Sequence, residues 1–510
     1  MKSQCRPLLY AVTAIGFLVG CAPTQPHLDS RTVQETVQKD LAEIYQNDAV
    51  DAELKLEDIL ARALKYNLDT KVAALDELIA ADDVDLQMLT ALPTVQAELQ
   101  RVGRNNRGGS SSLSLLTGQQ SLQPSISSEQ YRNVAKLSAD WNLLDAGINL
   151  WRSKSSVDRL LVAQERRRKI YHNVIQDAYS AYWRAVVAQK AIPDIEILMT
   201  DVAEQIDNLE AQMDLGVVSI AQSQTSIRAL RQSRQQLMNM MQSMVLAEVE
   251  LKTLIDYPLD KPIFLHEEGT AWLEKGSIPQ INGDISQFEA TAFMMRPEIR
   301  EEVLNKQISM RDIKLSLLET IPGFDLILTY NYDSNKFLAY NNWFDGIAGL
   351  TQSINKIITA PARYDRAKNL DLLADSRRQA LLAAVITQVH VAKARYDFLQ
   401  KAYGETEKIN TTSQDILTRV SNFKDVGLTS RADYLTAVID AKMSEVSRAF
   451  AFTDVQDAYG RFVTTVGVDL WDAGDIDMSV PDFARQIREN LSNDSLFLLD
   501  EPQNVAGVYQ

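Results

Sequence analysis

Ala135-Lys136-Leu137-Ser138-Ala139-Asp140-Trp141-Asn142-Leu143-Leu144-Asp145-Ala146-Gly147 is the stretch whose reading decides the fold. Ala135, Leu137, Ala139, Trp141 and Leu143 alternate with Lys136, Ser138, Asp140 and Asn142. Period two places the apolar side chains on one face of a strand. From Gly147 to Gly216 the pattern is helical. Within it Tyr171, Ile175, Ala178, Tyr182 and Ala185 step by 4, 3, 4 and 3, the seam of a coiled coil. Such a tract is about 100 Å long at 1.5 Å per residue and needs neighbours along its length. Pro193 falls inside it and predicts a kink or a break.

The plan occurs twice. Ala178-Tyr179-Ser180-Ala181-Tyr182 returns in outline as Ala392-Lys393-Ala394-Arg395-Tyr396, so that Tyr396 answers Tyr182. Leu215-Gly216-Val217-Val218-Ser219 is answered by Val426-Gly427-Leu428-Thr429-Ser430, glycine for glycine. Leu92-Pro93 is answered by Ile321-Pro322. Markers that keep their order over so long a period indicate two copies of one large unit. In the second copy Leu382, Val385, Val389, Ala392, Tyr396, Leu399 and Tyr403 form the seam. Each glycine, followed by Ser or Thr and another helix, reads as the tip of an αα-hairpin.

The strands are expected at about 94–102, 134–145, 323–333 and 346–358, with a Gly/Ser-rich loop over 103–128. One helix is expected from Leu56 to Leu92, where Pro93 stops it. The divisions are then 1–20, 21–55, a first repeat 56–257, a connector 258–285, a second repeat 286–467 and a tail 468–510, most of the tail loosely ordered. Strands near ten residues with one apolar and one polar face suit a membrane barrel. A half-buried sheet in a soluble protein alternates in the same way. Four strands cannot close around anything, so the chain must pool them with other copies. Three copies give a trimer with a 12-stranded barrel, continued by helices as a tunnel.

The N-terminus reads as a targeting segment. Lys2 and Arg6 precede an apolar run from Leu8 to Val19, too short to span as a mature helix. It ends in Leu18-Val19-Gly20-Cys21, which resembles the lipobox of bacterial lipoproteins. That resemblance implies a diacylglycerol/palmitate anchor on Cys21, and Ala22 after it favours the outer membrane. Cys5 lies in the segment removed, so the mature chain has no free thiol. The formal charge is −16, which argues against nucleic acid as a partner.

Taken together, the chain resembles the TolC-like outer-membrane efflux family over roughly residues 55–467. The paired strand–helix–hairpin units, Trp141-Asn142-Leu143-Leu144-Asp145-Ala146-Gly147, the tips at Gly216 and Gly427, and the lipobox carry the likeness. What it implies is a mainly α chain with a membrane β-barrel, trimeric, in the outer membrane of a Gram-negative bacterium and reaching into the periplasm. It would be the passive exit duct of a tripartite efflux or type I secretion system, with a periplasmic adaptor and an inner-membrane RND or ABC transporter as partners. The resemblance further implies that the tips, Leu215, Gly216, Val217 and Val426, Gly427, Leu428, Thr429, dock the adaptor. Asp433, six residues past the second glycine, would line the constriction, and Arg431 would act as a gate contact. Gln222 and Lys424 depart from the family's pattern at the gate. A solvated acid at a helix N-terminus is the plainer reading of Asp433.

Enzymatic chemistry finds no support. His27, His172, His266 and His390 are isolated and without metal-ligand spacing, and no nucleotide or nucleophile motif occurs. No cofactor is expected. Met238, Met240, Met241 and Met244 read as helix packing, and Arg166-Arg167-Arg168-Lys169 as a solvated helix face. The alternative function is a periplasmic coiled-coil scaffold or adaptor lipoprotein, which would lack the paired alternating strands.

Overall fold

A computed structural model describes residues 29–43, 52–121, 123–425, 427–470 and 478–491. The signal segment, Cys21 and Val426 lie outside the described residues. A first helix, α1 (Ser30–Glu43), lies within the 21–55 division. The first repeat then runs α2 (Leu56–Tyr66), α3 (Leu68–Leu89), β1 (Thr94–Gly103), β2 (Tyr131–Asn142), α4 (Leu143–Asp214) and α5 (Ile220–Leu254). After a connector carrying α6 (Glu267–Lys275), the second repeat runs α7 (Ile285–Met295), α8 (Pro297–Leu318), β3 (Gly323–Asp333), β4 (Asn342–Thr351), α9 (Ile354–Asp425) and α10 (Arg431–Val466). A last helix, α11 (Val480–Leu491), follows.

The two repeats match element by element. α7, α8 and β3 follow the starts of α2, α3 and β1 by one constant offset in the numbering. β4, α9 and α10 follow β2, α4 and α5 by a second, smaller one. The offset changes chiefly because the loop 104–130 in the first repeat faces the much shorter loop 334–341 in the second. α4 and α9 are both 72 residues long, or about 108 Å at 1.5 Å per residue.

Several boundaries differ from the sequence expectation. Asn67 divides the expected 56–92 helix, because its side chain accepts a hydrogen bond from the Asp69 amide at 2.8 Å and caps α3. β2 ends at Asn142 rather than 145, since Asn142 caps α4 by accepting from the Asp145 amide at 2.8 Å. Leu143 continues the alternation and so hides that boundary. β4 lies at 342–351 rather than 346–358, and α9 is already helical before Pro361. α4 runs unbroken through Pro193, which is exposed, so water can satisfy the carbonyl that the missing N–H leaves free.

The hydrophobic core is a belt at mid-height. The Trp183 ring stands edge-on to Tyr182 and Phe452, centroids 5.3 and 5.4 Å away. Tyr403 meets Phe452 from α9 at 6.0 Å. The seam residues Tyr171, Ile175, Ala178, Tyr182 and Ala185 are buried, as are Val385, Val389, Tyr396 and Tyr403. Burial pushes the Tyr396 phenol up to about 12, and its hydroxyl donates to the Pro279 carbonyl.

The described part of the tail, expected to be loosely ordered, holds a packed helix. Phe483, Ala484 and Ile487 of α11 are buried in the belt, and Arg488 pairs with Glu57 of α2. The basic run is a solvated face only in part: Arg166 and Lys169 are exposed, Arg167 is half-buried and Arg168 is buried, and all four are paired. Arg166 pairs with Glu301 at 2.7 Å, Arg167 with Glu77 at 2.7 Å and Lys169 with Glu298 at 3.5 Å. Arg168 binds Asp469 at 2.8 Å and donates to the Gly467 carbonyl at 3.1 Å. Four consecutive cations thus clamp α3, α8 and the end of α10 to α4, a role that a charge pattern cannot display.

Candidate functional site: an open sheet and two helical tips

All four strands form one antiparallel sheet in the order β1-β2-β3-β4. Its register aligns Ala97, Leu137, Tyr330 and Phe344 in one row, and Leu99, Ala135 and Tyr332 in the next. Val95, Ala139 and Leu328 continue the same face, as the two-residue period requires. No described part of the chain covers it: Leu99 is 85% exposed, Leu350 74% and Phe344 71%. An uncovered apolar face of this extent marks a surface that meets lipid or another chain.

The opposite face is polar and cross-linked. Lys136 pairs with Glu98 at 3.8 Å across β1–β2, and Arg132 pairs with Asp333 across β2–β3. Asn142 donates to Asp325 at 2.6 Å, and Asn331 donates to Asp345 at 2.8 Å. β1 and β4 each have one strand neighbour among the described residues, so both outer edges of the sheet are unpaired there. Among the described residues no helix is long and apolar enough to cross a membrane.

The two tips are the same turn. In the first, Gly216 has φ +69°, its amide donates to Met213 at 3.0 Å and the Val217 amide donates to Gln212 at 3.0 Å. In the second, Gly427 has φ +76°, its amide donates to Lys424 at 2.9 Å and the Leu428 amide donates to Phe423 at 2.8 Å. This is the glycine-dependent helix stop that satisfies the last carbonyls. Leu215, Val217 and Leu428 are 78%, 72% and 75% exposed, while Thr429 is half-buried. Each tip therefore presents leucine or valine to the outside from a rigid turn.

Asp433 lies in the first turn of α10, where its amide donates to Ser430 Oγ at 3.0 Å and its carboxylate accepts from the Ser430 hydroxyl at 2.7 Å. Arg431 reaches Glu204 of α4 at 3.8 Å, a contact between the two hairpins. Sequence reasoning missed Glu204. It named Lys424 as a departure at the gate but not its partner: the ammonium sits 3.7 Å from the Tyr434 ring centre. An aromatic ten residues after a lysine, across a tight turn, was the available signal.

No family model and no curated protein matches the chain. Solved structures do. The open-state outer-membrane channel MtrE of Neisseria gonorrhoeae superposes with a TM-score of 0.62 at 19% identity, covering 83% of this chain and 94% of that one. The CmeC outer-membrane channel of Campylobacter jejuni gives 0.61 at 15% identity, covering 85% and 89%. CusC, described in terms of transmembrane channel formation, gives 0.61 at 14% identity, covering 83% and 96%. The fold is that of the TolC-like outer-membrane channels, as the sequence resemblance implied.

Proposed function

We propose that this chain is one third of an outer-membrane channel-tunnel, the passive exit duct of a tripartite efflux or type I secretion system. The carrying observation is the open sheet: among the described residues its apolar face is uncovered and its two outer edges are unpaired, and β2 and β4 run within two residues into helices about 108 Å long. Three copies would bring twelve strands, enough to close a barrel with the apolar face to lipid and the polar face to the lumen.

The internal repeat supports the same closure. Within the chain α8 packs on α4, tied by Arg300–Glu165 at 2.7 Å and Arg152–Glu319 at 2.8 Å. Leu315 of α8 is 6% exposed there, and Val162 of α4 also 6%. Their repeat counterparts, Leu86 of α3 and Leu373 of α9, are 61% and 43% exposed. Leu75 and Ile79 of α3 are likewise open at 50% and 59%. The two halves of one interface stand open on α3 and α9, so α9 of one copy would receive α3 of the next. Head-to-tail contacts of this kind close into a ring.

On this reading Cys21 carries the acyl anchor, the tips at 215–217 and 426–429 dock a periplasmic adaptor, and Asp433 faces the constriction with Arg431 as gate contact. An RND or ABC transporter in the inner membrane supplies the energy, and no catalytic role or cofactor belongs to this chain. A scaffold or adaptor has no use for a sheet of this kind. Deleting Val426–Leu428 is expected to abolish export while leaving detergent-extracted trimers intact. Normal export by that variant would remove the docking assignment.

A further inference from the structure

The loop 104–130 is more than a strand connection. Ser110 and Ser125 exchange backbone hydrogen bonds at 3.1 and 3.0 Å, the Ser121 amide donates to Ser112 at 2.9 Å, and the Ser114 amide donates to Gln119 at 2.9 Å. Leu113 bridges to Gln120. It is a two-stranded ribbon, its first strand rich in Ser, Gly, Asn and Arg up to the tip. At the tip the composition reverses: Leu113 is exposed, and Leu115 and Leu116 almost completely so.

The base of the ribbon is held rigidly, and from one side. Asn335, 3% exposed, accepts from the Glu129 amide at 3.1 Å and donates to the Ser127 carbonyl at 3.0 Å. The Asn335 amide in turn donates to Asp333 at 3.0 Å. Asp333 and its partner Arg132 belong to the polar face of the sheet. The short loop of the second repeat thus braces the long loop of the first against the face assigned to the lumen.

We propose that the ribbons of three copies meet over the outer mouth of the barrel, and that Leu113, Leu115 and Leu116 of each pack against their equivalents as an apolar plug. The occupant of each tip is a second copy of this chain. This rests on the channel reading, which sets three identical tips at one height around one axis. Twelve strands about 4.8 Å apart and tilted about 40° close at a radius of roughly 12 Å. Thirteen residues from Arg104 to Leu116 reach up to about 40 Å, so the tips span that radius with length to spare. A polar ribbon ending in exposed leucines is unfavourable in water, and three tips that meet remove those leucines from it.

The test uses full-length protein extracted as trimers. Leu116→Cys adds a thiol at the tip, and Leu350→Cys on the apolar face is the control. Mild oxidation should link L116C chains in pairs, up to about two in every three for one thiol per copy around a three-fold axis, while L350C stays unlinked. Adding Leu113→Ser and Leu115→Ser to L116C should lower the linked fraction at least about five-fold if apolar packing holds the tips. Intact trimers in which L116C stays unlinked overturn the plug and leave the channel standing. Quenching of an L116C label by brominated lipid as strongly as an L350C label also overturns it, placing the tip in lipid. If neither variant yields trimers or channels, the channel reading falls and takes the plug with it.

Discussion

Both hairpins return to the belt through one turn, and two residues at matching repeat positions carry it. Gly467 has φ +84°, and its counterpart Asp256 has φ +50°. Their turns repeat, with the Tyr257 amide donating to Lys252 at 2.8 Å and the Val468 amide donating to Val463 at 3.3 Å. A Cβ at Gly467 would lie 2.9 Å from the Arg296 backbone nitrogen. Gly467→Ala is therefore expected to cost about 2–4 kcal/mol, left-handed strain plus the clash. Asp256→Gly relieves the strain but removes a carboxylate that attracts the buried Arg62 guanidinium, so its cost is expected to be smaller, about 0–2 kcal/mol; thermal unfolding of the two variants reads the contrast. Beside Gly467, burial pushes the Asp469 carboxyl up, but hydrogen bonds from His172 and Arg168 outweigh it and hold the group below its ordinary value. A depressed carboxylate stabilises above its unfolded pKa, and that stability is lost as pH falls through the folded value. Asp469→Asn should cost about 1–3 kcal/mol near neutral pH and flatten the acid limb of the stability curve. An unchanged acid limb would remove Asp469 from the account. The glycine at 467 is visible in the sequence; the aspartate that takes the same turn at 256 is not, because only the backbone angle reveals it.

At the scale of elements, much is legible because long helices repeat their signal. The seam spacing places Tyr182 and Val389 in the core, and period two places Leu137 and Tyr330 on one face. Boundaries are harder, since Asn142 and Asn67 end one element and cap the next within a single residue. The tail helix escapes a sequence reading although Phe483, Ala484, Ile487 and Leu491 share a face, since only its docking on α2 gives that face a partner. The helical period puts the apolar residues of α3 on one face, and Leu75, Ile79 and Leu86 there stand open to solvent in the single chain. This separates two substitutions that look alike. Leu86→Glu falls on the open face and is expected to leave helical content unchanged while preventing assembly. Leu315→Glu, at the buried counterpart, should unfold the chain itself. Circular dichroism and size analysis in detergent distinguish them, and assembly of Leu86→Glu at wild-type levels would contradict the proposed α3–α9 contact.

At the scale of the whole molecule, the chain is an unfinished object. It has a belt core that folds it, a sheet whose apolar face finds no cover among the described residues, and a helix pair, α3 and α9, that repeats an internal interface with one side missing. The sequence disclosed the doubling, and the doubling implies the closure. It disclosed nothing of the ion pairs that set the repeats against each other, because partners such as Arg168 and Asp469 lie more than half the chain apart. The most direct test is the mass of the protein extracted in detergent, measured by sedimentation with the bound detergent subtracted. The account predicts a single species of three chains that dissociates only as it unfolds. A folded single-chain species, stable without detergent, would contradict it.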